Sequence, residues 1–225
     1  MGVGRSSDSG EALSIKKKRI MVYFIEATEK LILEDGVDGL SIRKIASEAG
    51  YNSATLYNYF DDLEHLVLFA SVRHLREYVT ALRKSITPDM NALQIYRIIY
   101  TLFCEYSFRS PDIFNNMFFG RYRDRLKDVL KRYYELFPDE IGEQKMFVKE
   151  MLSQGNIYER DLAFMEGLVE EGFVNPEKKE VTVQLLVRTH QSFIWDASME
   201  GPDLDVKQYV EKFMKIFDYI MEGAR

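Results

Sequence analysis

Between Ser41 and Phe60 the chain reads SIRKIASEAGYNSATLYNYF, two short apolar-striped segments separated by Ala49-Gly50. Helices this brief are marginal in water on their own, so both must pack on something longer. The preceding residues supply it. Ile20, Phe24, Ala27 and Leu31 recur at three- and four-residue steps, which predicts a helix from about Lys16 to Glu34, stopped by Asp35-Gly36 with Gly at the left-handed position. Ser41 caps a second helix whose buried side is Ile42, Ile45, Ala46 and Ala49, and Gly50 ends it. After Tyr51-Asn52, with Asn52 or Ser53 as cap, Ser53 to Phe60 reads as a third helix. Two stubby helices across a Gly turn form the helix-turn-helix pattern.

A wheel of the third helix separates what is buried from what is offered. With Leu56 as the core direction, Phe60 and Leu63 fall within about 40° of it at about 100° per residue. Asn58 and Ala54 then point the opposite way, Thr55 and Tyr57 occupy the shoulders, and Tyr59 lies nearer the core edge. That arc suits a DNA major groove: Ala54 permits close approach, Asn58 can pair bidentately with adenine, and Thr55 and Tyr57 can reach phosphates or a thymine methyl. Net charge is −6, yet residues 1–60 carry eight basic and eight acidic side chains, so the acidity falls on residues 61–225. A neutral head with a basic tip at Lys16, Lys17, Lys18 and Arg19 can make a local electrostatic footprint on DNA while the acidic remainder limits nonspecific association.

The rest of the chain also reads as helix. Asp61-Asp62-Leu63-Glu64 looks like a capping box for a long fourth helix carrying Leu63, Leu66, Val67, Ala70 and His74 to about Lys84, broken by Thr87-Pro88. Further helices are divided at Ser110-Pro111, Pro138, Gly155, Asn175-Pro176 and Gly201-Pro202, with one spanning Val181 to Ser198. Gly120 to Glu135 reads as a solvated helix face, its Asp124, Asp128 and Glu135 pairing with Lys127 and Arg132. The last helix, about Asp205 to Glu222, has so wide an apolar face that it invites a second subunit, with Tyr209, Phe213, Phe217 and Ile220 as its interface. A single Cys104 cannot form an intrachain disulfide or a cysteine metal cluster. No apolar run approaches a membrane span, and residues 1–14 lack the apolar segment of a signal peptide, so a cytoplasmic protein is expected. His65, His74 and His190 are too scattered to suggest a metal site, and no phosphate loop or nucleophile elbow is present; no metal, cofactor or enzymatic activity is expected.

Residues Lys16 to Leu66 resemble the N-terminal domain of TetR/AcrR-type transcriptional regulators. The resemblance rests on Gly36-Val37-Asp38-Gly39-Leu40-Ser41, Ile42-Arg43-Lys44-Ile45-Ala46, Ala49-Gly50 and Thr55-Leu56-Tyr57-Asn58-Tyr59-Phe60 followed by Leu66. It implies an all-α homodimer in which a three-helix helix-turn-helix domain is joined by a long fourth helix to a helical ligand-binding and dimerisation domain. Residues 1–15 would be a disordered arm, 16–62 the DNA-binding domain and 63–225 the effector domain. The expected DNA contacts are Lys17, Lys18, Ser41, Arg43, Ser53, Ala54, Thr55, Tyr57, Asn58 and Tyr59 on double-stranded operator DNA, with Ser41, Arg43 and Tyr59 placed there by the resemblance, which also implies contacts at Thr55 and Tyr57. One departure is Leu63, where the family commonly has Lys; with Asp61 and Asp62 beside it, that phosphate contact is in doubt. A small hydrophobic or aromatic effector would draw on the body's aromatic and Met residues, with Tyr100, Phe103, Met117 and Phe193 as pocket candidates and polar convergence from His190, Gln191 or Asp196. The alternative class is a helical dimeric protein-interaction module without sequence-specific DNA binding.

Overall fold

A computed structural model describes residues 14–37, 39–138 and 156–225, and every regular element among them is a helix. Of the expected arm at residues 1–15, residues 1–13 lie outside the described residues, as does the division at Gly155, while Ser14 and Ile15 cap and open the first helix. The chain divides into two compact units, Met1–Leu63 and Glu64–Arg225.

In the first unit, α1 (Ile15–Asp35) starts at Ser14, whose side chain accepts from the Lys17 amide at 3.3 Å, and stops at Gly36 with φ 73°. Its stripe buries Phe24, Ile25, Leu31 and Ile32. α2 (Ile42–Glu48) is capped by Ser41 and closed by a Schellman turn. The Tyr51 amide donates to Ala46 at 2.9 Å and the Gly50 amide to Ser47 at 3.2 Å, and Gly50 takes φ 75°. A side chain at Gly50 would strain that reversal, which sets the angle between α2 and α3 (Ser53–Leu56). The core joins Phe24 to Ile45, Ala46, Leu56 and Phe60, with the Phe24 and Phe60 rings edge to face at 6.2 Å. Exposed ion pairs, Lys30 with Glu48 at 2.6 Å and Lys44 with Asp35, link the body and the last residue of α1 to α2.

The second unit begins within α4 (Leu63–Arg73), where His65 to Val72 are all buried rather than one stripe. The expected long fourth helix is interrupted at His74, where the amide donates to Ser71, three residues back, at 3.1 Å. The path resumes as α5 (Leu75–Ser85), amphipathic through Leu75, Tyr78, Val79 and Leu82. α6 (Ala92–Arg109) opens with a capping box in which Asn91 and Gln94 satisfy each other's amides at 2.8 and 3.0 Å. α7 (Pro111–Phe119) follows. The stretch read as one helix from Gly120 is a 3-10 turn, Arg123–Arg125, then α8 (Leu126–Leu136). Of its expected pairs, Arg132 meets Glu135 at 3.3 Å, while Arg123 meets Asp124 at 3.8 Å. α9 (Ile157–Glu170), α10 (Lys179–Glu200) and α11 (Val206–Gly223) complete the bundle, the last capped by Asp205 on the Gln208 amide. No helix among the described residues is long and apolar enough to cross a membrane.

Candidate functional site: the reader helix and the aromatic body

The reader is built by Asn52. Its side-chain carbonyl accepts from the Thr55 amide at 2.9 Å and from the Thr55 hydroxyl at 3.0 Å, so Asn52 and not Ser53 is the cap. The Thr55 proton is thereby committed inside the turn, leaving its methyl and lone pairs for a groove. After Leu56 the chain tightens instead of continuing as α-helix: the Asn58 amide donates to Thr55 at 3.2 Å and the Tyr59 amide to Leu56 at 2.9 Å. The expected eight-residue helix is one α-turn followed by this tighter turn, which returns Phe60 to the core beside Leu56. Ala54, Tyr57 and Asn58 are exposed, Tyr57 by 56%, whereas Ser53, Thr55 and Tyr59 are half-buried. Ser41 and Arg43 are exposed at the start of α2, Lys17 is exposed on α1 and Lys18 is half-buried. Leu63 is half-buried at the start of α4.

The second unit holds a polar cluster inside an aromatic core. The Tyr100 hydroxyl donates to Asp161, and the fully buried Tyr96 hydroxyl lies near the same carboxyl. Burial pushes the Asp161 carboxyl up to about 7, against the opposing pull of the Tyr100 and Tyr96 hydroxyls. Nearby, His190 is fully buried and shares a 2.9 Å hydrogen bond between its Nε2 and the Ser107 hydroxyl, while its Nδ1 has no partner. Burial pushes His190 down to about 3, so the ring is neutral. Phe103, Phe108, Phe213 and Tyr100 surround it at 4.8, 5.6, 5.6 and 6.4 Å.

Of the pocket candidates, Tyr100 and Phe103 meet around His190, Phe193 lies half-buried against Phe213 at 5.4 Å, and Met117 is buried in α7. Asp196 does not converge with them. It is exposed and hydrogen-bonds Tyr209, raising that phenol's pKa after the larger effect of desolvation. Sequence reasoning missed Asp161 and Ser107, and did not pick Tyr96 out of the body's aromatic residues. A signal existed for the acid: Asp161 lies four residues after Ile157 and three before Phe164, on the apolar stripe of α9, where an acid is costly unless it is partnered or protonated.

The expected subunit face needs correction. Phe213 and Phe217 are 0% and 1% exposed, packed on Tyr100 at 5.7 and 5.2 Å, so they belong to the chain's own core. Tyr209 and Ile220 are half-buried. The outward apolar residues are Val181, Leu185, Trp195 and Met199 on α10, with Ile216 and Tyr219 on α11. Val181, Leu185, Tyr219 and Ile220 also line a groove of about 300 Å³ between these helices.

A capped short helix after a Schellman-closed α2, packed on α1, is a helix-turn-helix arrangement. Residues 24–69 match the family described as bacterial regulatory proteins, tetR family. The likeness to the tetR family thus covers this 46-residue segment, about a fifth of the chain. An HTH-type transcriptional regulator of Staphylococcus aureus (strain bovine RF122 / ET3-1) is 24% identical over 136 residues, covering 57% of this chain and 73% of that one. The HTH-type transcriptional regulator PksA of Bacillus subtilis (strain 168) is 40% identical over 75 residues, 31% of this chain and 36% of PksA. In fold the chain is similar to Thermus thermophilus FadR, a TetR-family transcriptional repressor in complex with lauroyl-CoA, at 15% identity and TM-score 0.58 over 88% of this chain and 92% of that one.

Proposed function

We propose that this chain is a ligand-responsive repressor that binds a palindromic operator as a homodimer in the cytoplasm and is released by a small apolar or aromatic effector. Residues 16–62 are the reader, and residues 63–225 bind effector and dimerise. The observation that carries the reading is the exposure of Ala54, Tyr57 and Asn58 on a short helix whose cap and opposite side are fixed by Asn52, Leu56 and Phe60. One such turn reaches too few bases to specify a site, so two copies reading two half-sites follow from its size. The outward apolar residues of α10 and α11, spaced by about one helical turn within each pair, support a four-helix seam between copies. The chemistry proposed for the body is binding alone. That a protein of this fold holds lauroyl-CoA supports a body able to open around an apolar chain. The test is selection of bound duplexes from a random DNA pool with the affinity followed against salt. A two-fold-symmetric motif bound with steep salt dependence is expected. Binding indifferent to sequence and salt would point to the protein-interaction module instead.

A further inference from the structure

α10 carries an outward stripe whose character is the same from either end. Val181, Leu185, Arg188, Ser192, Trp195 and Met199 are all exposed and recur at alternating steps of four and three, the spacing of a coiled-coil seam. Residues 181 and 199, 185 and 195, and 188 and 192 stand nine, five and two positions either side of residue 190. The order is therefore apolar, polar, apolar in both directions. His190 itself points the other way, fully buried against Phe103 and Phe108. The two ends differ in shape. Trp195 and Met199, 61% and 74% exposed, project from one end, and an exposed apolar cluster of this kind marks an interaction surface. At the other end Val181 and Leu185 border the groove of about 300 Å³ whose far wall is Tyr219 and Ile220 of α11. Knob and hollow cannot meet within one chain, since ten residues of a straight α-helix span about 15 Å. A second copy running the opposite way presents the one to the other.

We propose that α10 pairs antiparallel with its own copy about a two-fold axis at residue 190, and that the partner's Trp195 and Met199 fill the groove between α10 and α11. In this register Leu185 meets the partner's Trp195, Val181 the partner's Met199 and Arg188 the partner's Ser192, each contact made twice. Parallel pairing would set Arg188 on the partner's Arg188 and leave hollow facing hollow. The inference rests on the reading of the chain as a homodimer and fixes which residues meet in it.

The test uses the full chain, whose one tryptophan is Trp195 and whose one cysteine, Cys104, is buried. Sedimentation reports the dimer, and acrylamide quenching of fluorescence reports the surroundings of Trp195. Quenching is expected to be several-fold weaker in the unsubstituted protein than in Leu185→Glu, with emission shifted to the blue. Chains carrying Leu185→Cys and chains carrying Trp195→Cys, mixed, exchanged and oxidised, are expected to give a disulfide-linked dimer. Neither variant alone is expected to link, because like positions then stand about 15 Å apart along the helices and a disulfide needs Cα atoms within about 7 Å. A dimer whose Trp195 is quenched equally with and without Leu185→Glu overturns the register and leaves the homodimer in place. So does a link formed by either single variant, or a mixed dimer that forms none. If the cysteine variants fail to dimerise, the quenching comparison decides. A monomer at micromolar concentration overturns the pairing and the homodimer reading together, while the random-pool selection still reports on DNA binding independently.

Discussion

Asn58 and Tyr57 differ in what each can say to DNA, although both stand on the same exposed turn. An amide can match the paired donor and acceptor of adenine in the major groove, whereas a phenol reaching a phosphate carries no sequence information. Asn58→Ala is therefore expected to relax base preference at one position of each half-site, at a cost of about 1–3 kcal/mol per lost bidentate contact. Tyr57→Phe is expected to weaken all sequences evenly. Competition binding against a panel of single-base operator variants separates the two, and an unchanged motif for the Asn58 variant would remove it from the groove. Thr55 cannot contribute a hydroxyl proton without giving up its bond to Asn52, so its contribution is apolar or as an acceptor.

At the scale of the element, α11 has two apolar sides with opposite duties. Phe213, Met214, Phe217 and Met221 face the core of the same chain, while Ile216 and Tyr219 face outward, 37% and 78% exposed. Paired Ile216→Glu and Tyr219→Glu substitutions are expected to give a folded monomer by sedimentation, with helical content unchanged by circular dichroism. Phe213→Glu is expected to unfold the second unit, since burying an unpaired carboxylate among stacked rings costs several kcal/mol. A dimer that survives the outward pair would sink the proposed seam. The apolar pattern of α11 was legible in the sequence, but its width alone did not reveal which side another helix of the same chain would take. The break at His74 was likewise illegible, because no Pro or Gly marks it.

Across the whole molecule, two buried groups tie stability to pH in opposite directions. Asp161, pushed up to about 7, keeps a proton in the folded chain that the unfolded chain releases around 3.8, so its contribution is lost as pH rises from about 4 to 7. His190, pushed down to about 3 from 6.5, stays neutral when folded, so its contribution is lost as pH falls from about 6.5 to 3. Where the windows overlap, slopes of about 1.4 kcal/mol per pH unit oppose each other. Urea melts between about pH 4 and 6.5 are expected to show stability rising with pH in Asp161→Asn and falling with pH in His190→Gln; slopes of one sign in both variants would overturn the assignment. The proposed regulation is also a property of the whole chain. A hundredfold loss of operator affinity on effector binding needs about 2.7 kcal/mol of coupling, and operator must weaken the effector by the same factor. Titrating effector with and without operator checks this, and equal affinities would mark the compound as a bystander.

The sequence by itself determined the helical class, the order of α1, α2 and α3, the Gly stops and the outward Ala54 and Asn58, because each is set within a few residues by capping, glycine conformation and a 3.6-residue period; it set Thr55 and Tyr57 alike on the shoulders, and only the structure separated a half-buried Thr55 from an exposed Tyr57. Asn52 illustrates the limit of that reach: cap chemistry placed it beside Ser53 as an equal choice, and only the closed turn selected it. The body was decided otherwise. Asp161 and Tyr96 lie 65 positions apart, and Tyr100 and Phe213 lie 113 apart, so no local pattern brings them together. Their meeting depends on which faces of α6, α9 and α11 pack. Helical periodicity states that a face is apolar; the competing surfaces of the rest of the chain decide whether it becomes core or is left outward for another copy.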